Sequence, residues 1–350
     1  MTQEARGELT RSTEPHGDPA LRARMDTDGY LFLPGLLPAA AVRRVRTEIL
    51  TICAAAGWLA PGREPDGTVN PAAACEPPDP RYYQVYRRVI SLESYNRLAH
   101  AEQLLRLTAV LLGHDDVIPR PARLARLVFP QPDLGATPPH QDYPHEQGTA
   151  EAYTAWVPLG AIPRSRGGLA VWAGSHRRGL FDHGFVPGTG GLGIRTETMN
   201  PPWLTADFEA GDVVMFHSLT VHKALPNRTD DQIRLSADFR YQRVADPMAP
   251  HMLEPSGNGL TWEEVYAGWS SDELKYYWAD AGVTLVPYDQ GFYRRRDAEA
   301  IEQARAGDRH ALAFLRTISA RSRDEALRRA ASEVLAAKPA AQEADGDGRR

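Results

Sequence analysis

Cysteine is almost missing from this 350-residue chain, which carries only Cys53 and Cys75. So low a count excludes a disulfide-stapled secreted scaffold, and the two positions fit no metal-ligand spacing, so both read as ordinary thiols. Long apolar runs are missing too. None approaches the roughly 18 residues needed to cross a bilayer, and Met1 to Ala20 is polar, with no apolar core of a secretory signal. The expectation is a soluble, cytoplasmic protein with no membrane partner. Nor is there an excess of positive charge. With 40 Lys and Arg against 45 Asp and Glu the net charge is −5, which gives no general attraction to phosphate backbones and argues against nucleic acid as a partner. No repeat at a fixed period is visible. What remains, 42% hydrophobic and 24% charged, is the composition of a globular protein long enough to bury an ample core.

Residues 1–20 bring little apolar surface and are expected to be disordered. Gly29 to Leu33 reads as a first strand, and Pro38 opens a helix in which Val42, Val45, Ile49 and Ile52 follow helical spacing. Gly57 to Tyr82 reads as a loop, and Tyr82 to Leu112 as mostly helical. Short strands follow at Arg123 to Phe129, Tyr153 to Leu159 and Leu169 to Trp172, a spacing that argues for a sandwich or barrel with helices on one side. The glycine-rich run from Gly184 to Gly193 lacks the Lys-Ser or Lys-Thr of a phosphate loop and reads as either a mobile lid or a surface connection. Thr261 with Glu264 and Ser270 with Glu273 both fit capping boxes, marking two short helices among packing aromatics (Trp262, Tyr266, Trp269, Tyr276, Tyr277, Trp278). Two or three helices fill 297–337, one capped by Ser322 with Glu325. The implied division is a disordered 1–20, a main domain over 21–255, a helical extension over 256–338 and a disordered tail over 339–350.

The chemistry gathers at two stretches. In Thr137-Pro138-Pro139-His140-Gln141-Asp142, extended backbone puts His140 and Asp142 on one face. A second imidazole must come from elsewhere, and the stretch from Gly211 to His222 offers His217 and His222. Two histidines and one carboxylate with open positions suit a non-haem Fe(II) oxygenase. His145 and His176 are further candidates near the first stretch or in a turn. Downstream, Gln232 to Tyr241 alternates strictly. One face carries Ile233, Leu235, Ala237, Phe239 and Tyr241, and the other includes Arg234 and Ser236, suited to hold a carboxylate by a guanidinium fork and a hydroxyl.

These stretches, together with Asp28 to Leu37, Gly167-Gly168-Leu169, Gly174-Ser175-His176, Gly211-Asp212 and Asn227, resemble the phytanoyl-CoA dioxygenase-like (PhyH) branch of the iron(II)/2-oxoglutarate oxygenases in order and spacing. The resemblance implies a mainly β, α+β fold, with a double-stranded β-helix (jelly-roll, cupin-like) core and helical additions at both ends. It implies His140, Asp142 and His222 as iron ligands, and it favours His222 over His217 because Asn227 and Arg234 follow at the family's offsets. Arg234 and Ser236 would anchor 2-oxoglutarate, with Gln131 as a further donor and Trp156 near the site or in the core. Pro139 departs from the pattern where many members carry an aromatic residue, which bears on pocket shape. The implied reaction consumes 2-oxoglutarate and O2, oxidises a small-molecule metabolite, and releases succinate and CO2. Retention of Asp142 speaks against a halogenase, which needs a small residue there. Alternatives are an acyl-CoA hydroxylase, with Arg43, Arg44 and Arg46 or Arg294 to Arg296 as a basic groove, and a non-catalytic or isomerase cupin-type metal protein. Monomer and homodimer both remain open.

Overall fold

The computed structural model describes residues 5, 7–15, 17–130, 136–256 and 259–337. Its frame is two facing sheets. The larger runs in the order β2 (Tyr30–Leu33), β10 (Val213–His217), β5 (Ala152–Pro158), β12 (Arg234–Arg243) and β3 (Val117–Pro119), and β4 (Leu124–Val128) also pairs with β12. All of these pairs are antiparallel. The smaller sheet runs β1 (Gly7–Glu8), β9 (Trp203–Thr205), β6 (Leu169–Trp172) and β11 (His222–Ala224).

Alternation along the strands decides which side chains meet. Tyr30, Phe32, Trp156, Val214 and Phe216 of the larger sheet pack with Leu169 and Val171 of the smaller around Phe208. Phe208 meets Phe32 and Trp156 edge-on at 5.6 and 4.8 Å, so Trp156 is a core residue. The opposite face of the larger sheet, with Leu31, Met215, Val157, Leu235, Ala237, Phe239 and Tyr241, packs with the helices α1 (Ala20–Asp28), α2 (Ala39–Ala55), α3 (Pro80–Ile90), α4 (Glu93–Leu98) and α5 (Glu102–Leu112). This is the double-stranded β-helix with helices stacked on one side. Among the described residues no helix is long and apolar enough to cross a membrane.

Three local expectations fail. Residues 7–15 are not disordered. Gly7 and Glu8 pair in parallel with Leu204 and Thr205, Leu9 is buried, and Arg164 bonds Glu8. Edge pairing of backbone supplies what the apolar count did not show. No helix forms at Ser270 to Glu273 either. The amide and hydroxyl of Ser270 both bind Glu93, so that hydroxyl does not cap, and Tyr276 sits at φ 52°. Third, α10 (Glu325–Ala337) is capped not by Ser322 but by Asp324, which accepts from the amides of Ala326 and Leu327. The Thr261 capping box is present and opens α7 (Trp262–Tyr266).

The glycine run becomes a small hairpin of β7 (Gly184–Phe185) and β8 (Leu192–Gly193). It is held on both sides. Ile194 N–H donates to Pro139 O at 2.7 Å, and Phe185 packs with Phe314 inside the cluster of α8 (Gly291–Arg305), α9 (Arg309–Arg321) and α10. A Cβ on Gly191 would lie 2.6 Å from the Phe314 ring, so the close approach needs glycine there. Residues 338–350 lie outside the described residues, as does the expectation for the tail.

Candidate metal centre and co-substrate pocket

His140 and His222, far apart in sequence, are cross-strand neighbours. Each amide donates to the other's carbonyl, at 2.9 and 3.0 Å, which fixes the two rings side by side with centroids 4.1 Å apart. Asp142 follows on the same face, just ahead of the short helix α6 (Tyr143–Glu146), its amide on Ser218 O at 2.9 Å. All three side chains are buried, and their ligand atoms lie within 4.8 Å of one another. His217 does not join them. Its Nε2 lies 3.8 Å from Glu151, and its ring stands near Tyr153 and His176. His145 lies edge-on to His140 at 5.4 Å with Nδ1 2.8 Å from the Tyr293 hydroxyl, beside the ligand group rather than in it.

The protonation pattern favours a cation. Carbonyl oxygens only accept, so Nδ1 of His140, 2.8 Å from Pro138 O, and Nδ1 of His222, 3.0 Å from Thr220 O, carry the hydrogens. Both Nε2 atoms therefore present lone pairs, each 3.6 Å from Asp142 Oδ1. Burial, then the neighbouring imidazoles, push His140 well below the usual histidine range, and burial lowers His222 too. Burial alone would raise the Asp142 carboxyl. Arg240, then His222 and His140, outweigh it and hold the group below the usual carboxylate range. Two neutral imidazoles and a carboxylate aimed at one point repel unless a positive ion lies between them, and this donor set is the one non-haem iron takes.

Behind Asp142 lies a buried polar assembly that sequence reading missed. Thr154 on β5 donates to Asp142 Oδ2 at 2.6 Å. Arg240 on β12 lies 3.8 Å from the same oxygen and pairs with Glu146, which also takes Arg120 at 2.6 Å. Arg120 is 0% exposed and Gln242 accepts from its Nε. Burial raises Glu146 to about 7 against the pull of Arg240. The signal was present: the polar face of β12 does not stop at Ser236 but continues through Asp238, Arg240 and Gln242, all buried.

Nearer the start of that face, Arg234 is 3% exposed and donates to Ser236 Oγ at 3.1 Å, while its Nε has no partner. Asp238 is engaged by Arg126. Arg234 has no salt bridge among the described residues, and burial, then Arg126, lower it to about 10. An enclosed guanidinium with an unused N–H fits an incoming carboxylate. Asn227 plays a structural part, donating to Val128 O and Gln232 O to pin the turn before β12. Gln131 lies outside the described residues.

Arg234 and His145 both line a cavity of about 870 Å³ whose far wall is made by α8, α9 and the turn into α10. His140, Asp142 and His222 do not line it; His145, which does, meets the His140 ring edge-on at 5.4 Å.

The profile of the phytanoyl-CoA dioxygenase (PhyH) family matches residues 25–236. The chain belongs to that family. It is an enzyme of the non-haem Fe(II)/2-oxoglutarate-dependent dioxygenase class, with Fe(II), 2-oxoglutarate and O2 as its cofactor and co-substrates. The 1-deoxypentalenic acid 11-beta-hydroxylase of Streptomyces arenae is 27% identical over 250 residues, 67% of this chain and 85% of the relative. The peroxisomal phytanoyl-CoA dioxygenase of Mus musculus is 31% identical over a shorter stretch, 29% of this chain and 34% of the relative. Among solved structures, the epimerase SnoN in complex with Fe3+, alpha ketoglutarate and nogalamycin RO superposes with a TM-score of 0.49 at 25% identity, covering 69% of this chain and 93% of that one.

Proposed function

We propose that His140, Asp142 and His222 hold the iron, that Arg234 and Ser236 receive the distal carboxylate of 2-oxoglutarate, and that the enzyme hydroxylates a small-molecule biosynthetic intermediate in the cytoplasm. Iron held there, with 2-oxoglutarate and O2, would supply the oxidising power of a reaction that releases succinate and CO2. The chain's own contribution is geometric. The His140 and His222 strands set two imidazoles in register, and Thr154 and Arg240 steady the far oxygen of Asp142. Burial of all three ligand side chains keeps bulk water from the site. The observation that carries this reading is the convergence of two Nε2 lone pairs on Asp142 Oδ1 at 3.6 Å.

The first relative named above acts, by its name, on 1-deoxypentalenic acid, which supports a small-molecule substrate over a macromolecule. Residues 21–255 would then be the oxygenase domain, with 256–338 a helical extension that closes its cavity. Mixing the purified protein with Fe(II) and 2-oxoglutarate tests the assignment. Succinate formation and the anaerobic charge-transfer absorption should both be lost in His222→Ala and kept in His217→Ala. The reverse result would move the third ligand to His217.

A further inference from the structure

The cavity carries a charge opposite to that of the chain. Its lining holds six arginines against three carboxylates, in a protein whose net charge is −5, so the local field is positive where the whole molecule is negative. Most of that charge is spoken for. Arg126 pairs with Asp238, Arg296 with Asp297 at 2.6 Å, Arg294 faces Asp324 at 3.5 Å, and Arg234 is assigned to 2-oxoglutarate. Arg321 and Arg323 have no salt bridge among the described residues. They flank Ser322 in the turn between α9 and α10, and that turn is held rigidly. The Ser322 hydroxyl donates to Asp297 at 2.6 Å, and Arg328 donates to Ser322 O at 2.8 Å. From there Arg321 donates to the Tyr83 hydroxyl at 2.7 Å, with its guanidinium 4.7 Å over that ring, so it spans the cavity from α9 to α3. The lining is also rich in aromatic rings, among them Phe185 packed on Phe314 at 5.2 Å and Tyr293 at 5.9 Å from His145.

We infer that Arg321 and Arg323 form a binding subsite for an anionic group of the substrate, a carboxylate or a phosphate. The apolar body of the molecule lies along the aromatic wall, and the carbon to be oxidised sits at the His145 end. The inference rests on the oxygenase reading above for which end is reactive. Its selecting residues lie beyond residue 236, where the family match ends, so they are a property of this chain's C-terminal helices. The run Arg294 to Arg296 contributes less than its sequence suggests, because Arg295 points to Asp182 and Arg296 is paired with Asp297.

The test uses the full-length protein under anaerobic conditions with saturating Fe(II) and 2-oxoglutarate, so that Arg234 is occupied, and two fluorescent probes with the same aromatic body, anilinonaphthalene sulfonate and neutral N-phenyl-1-naphthylamine. Wild type should bind the sulfonate about tenfold or more tightly than the neutral probe, the gain of one charge-assisted contact. Arg321→Ala/Arg323→Ala should bring the two affinities together by weakening only the sulfonate, while Arg321→Lys/Arg323→Lys keeps part of the preference and shows that folding is intact. Equal affinities in wild type, or a preference that survives the double alanine variant, would overturn the subsite. Displacement of the sulfonate by dodecanoate but not coenzyme A assigns a carboxylate, and the converse assigns a phosphate. Displacement by neither overturns the proposal. The anaerobic Fe(II) and 2-oxoglutarate absorption, measured separately, tells the two readings apart. If it fails while the anion preference holds, the oxygenase assignment falls and the anion subsite stands.

Discussion

The hydroxyl of Thr154 reaches across from the larger sheet to Asp142 Oδ2 at 2.6 Å, leaving Oδ1 as the oxygen that faces both imidazoles. A ligand carboxylate held in this way cannot rotate freely, and outer partners of this kind typically contribute 10- to 100-fold in metal affinity. Thr154→Val keeps the shape and removes the bond. We expect Fe(II) affinity to fall by about tenfold or more, with a stability loss of only about 1 kcal/mol. Equal Fe(II) titrations in the two proteins would leave the orienting role to Arg240 alone.

Arg120 is fully buried with Glu146 as its ion partner. Removing one side of a buried pair strands the other, and such changes typically cost about 3–5 kcal/mol. Arg120→Met should therefore lower the urea midpoint of the metal-free protein by a corresponding amount. Arg120→Met/Glu146→Gln should not recover it, because Arg240, which also pairs with Glu146, then loses its close carboxylate and keeps only Asp142 at 3.8 Å. A loss under about 1 kcal/mol in the single variant would show that Arg240 alone satisfies Glu146.

Much of this was legible in the chain because strand alternation is a local property. The spacing of His140 and Asp142 and the alternation from Ile233 to Tyr241 each placed side chains on the correct face. Pairings between distant strands were not legible. Nothing in the sequence around Thr154 says that it lies under Asp142, because that contact depends on how the β5 sheet faces the strand of His140. The Arg120, Glu146 and Arg240 assembly is hidden for the same reason, since charged residues read as solvent-facing until both partners are seen buried together. The N-terminal strand escaped because backbone pairing leaves no apolar signature. At Ser270 a local cap pattern lost to a tertiary bond with Glu93.

Arg234 offers a test of the co-substrate pocket. Its partnerless Nε and its bond to Ser236 support the proposed anchor for a carboxylate. Arg234→Ala should weaken 2-oxoglutarate binding by about ten- to more than a hundredfold, since charge-assisted hydrogen bonds are worth roughly 1.5–3 kcal/mol and more when the partner is left buried. Arg234→Lys should restore only part, because an ammonium lacks the planar fork. Fe(II) binding should change little in either. Unchanged 2-oxoglutarate affinity in Arg234→Ala would send the search for the anchor to Gln131.

His100 gives a pH dependence that can be read away from the metal centre. Its Nε2 lies 2.9 Å from Arg123 Nη2, and a guanidinium only donates, so Nε2 must accept and stay unprotonated. Burial first, then Arg123 and Arg97, lower it to about 3. In the unfolded chain the same ring titrates near about 6.5. Above that value neither state binds the proton and His100 adds no pH dependence. As pH falls from about 6.5 toward about 3, the unfolded state takes up a proton that the folded state refuses, so stability is lost, with a limiting slope of about 1.4 kcal/mol per pH unit. In His100→Gln an amide oxygen can still accept from Arg123, but nothing titrates. Urea midpoints of the metal-free proteins, compared from about pH 7.5 down to about pH 5, should therefore fall more steeply in wild type than in the variant. Parallel curves would mean that His100 is protonated in the folded state and that its contact with Arg123 is not the one described.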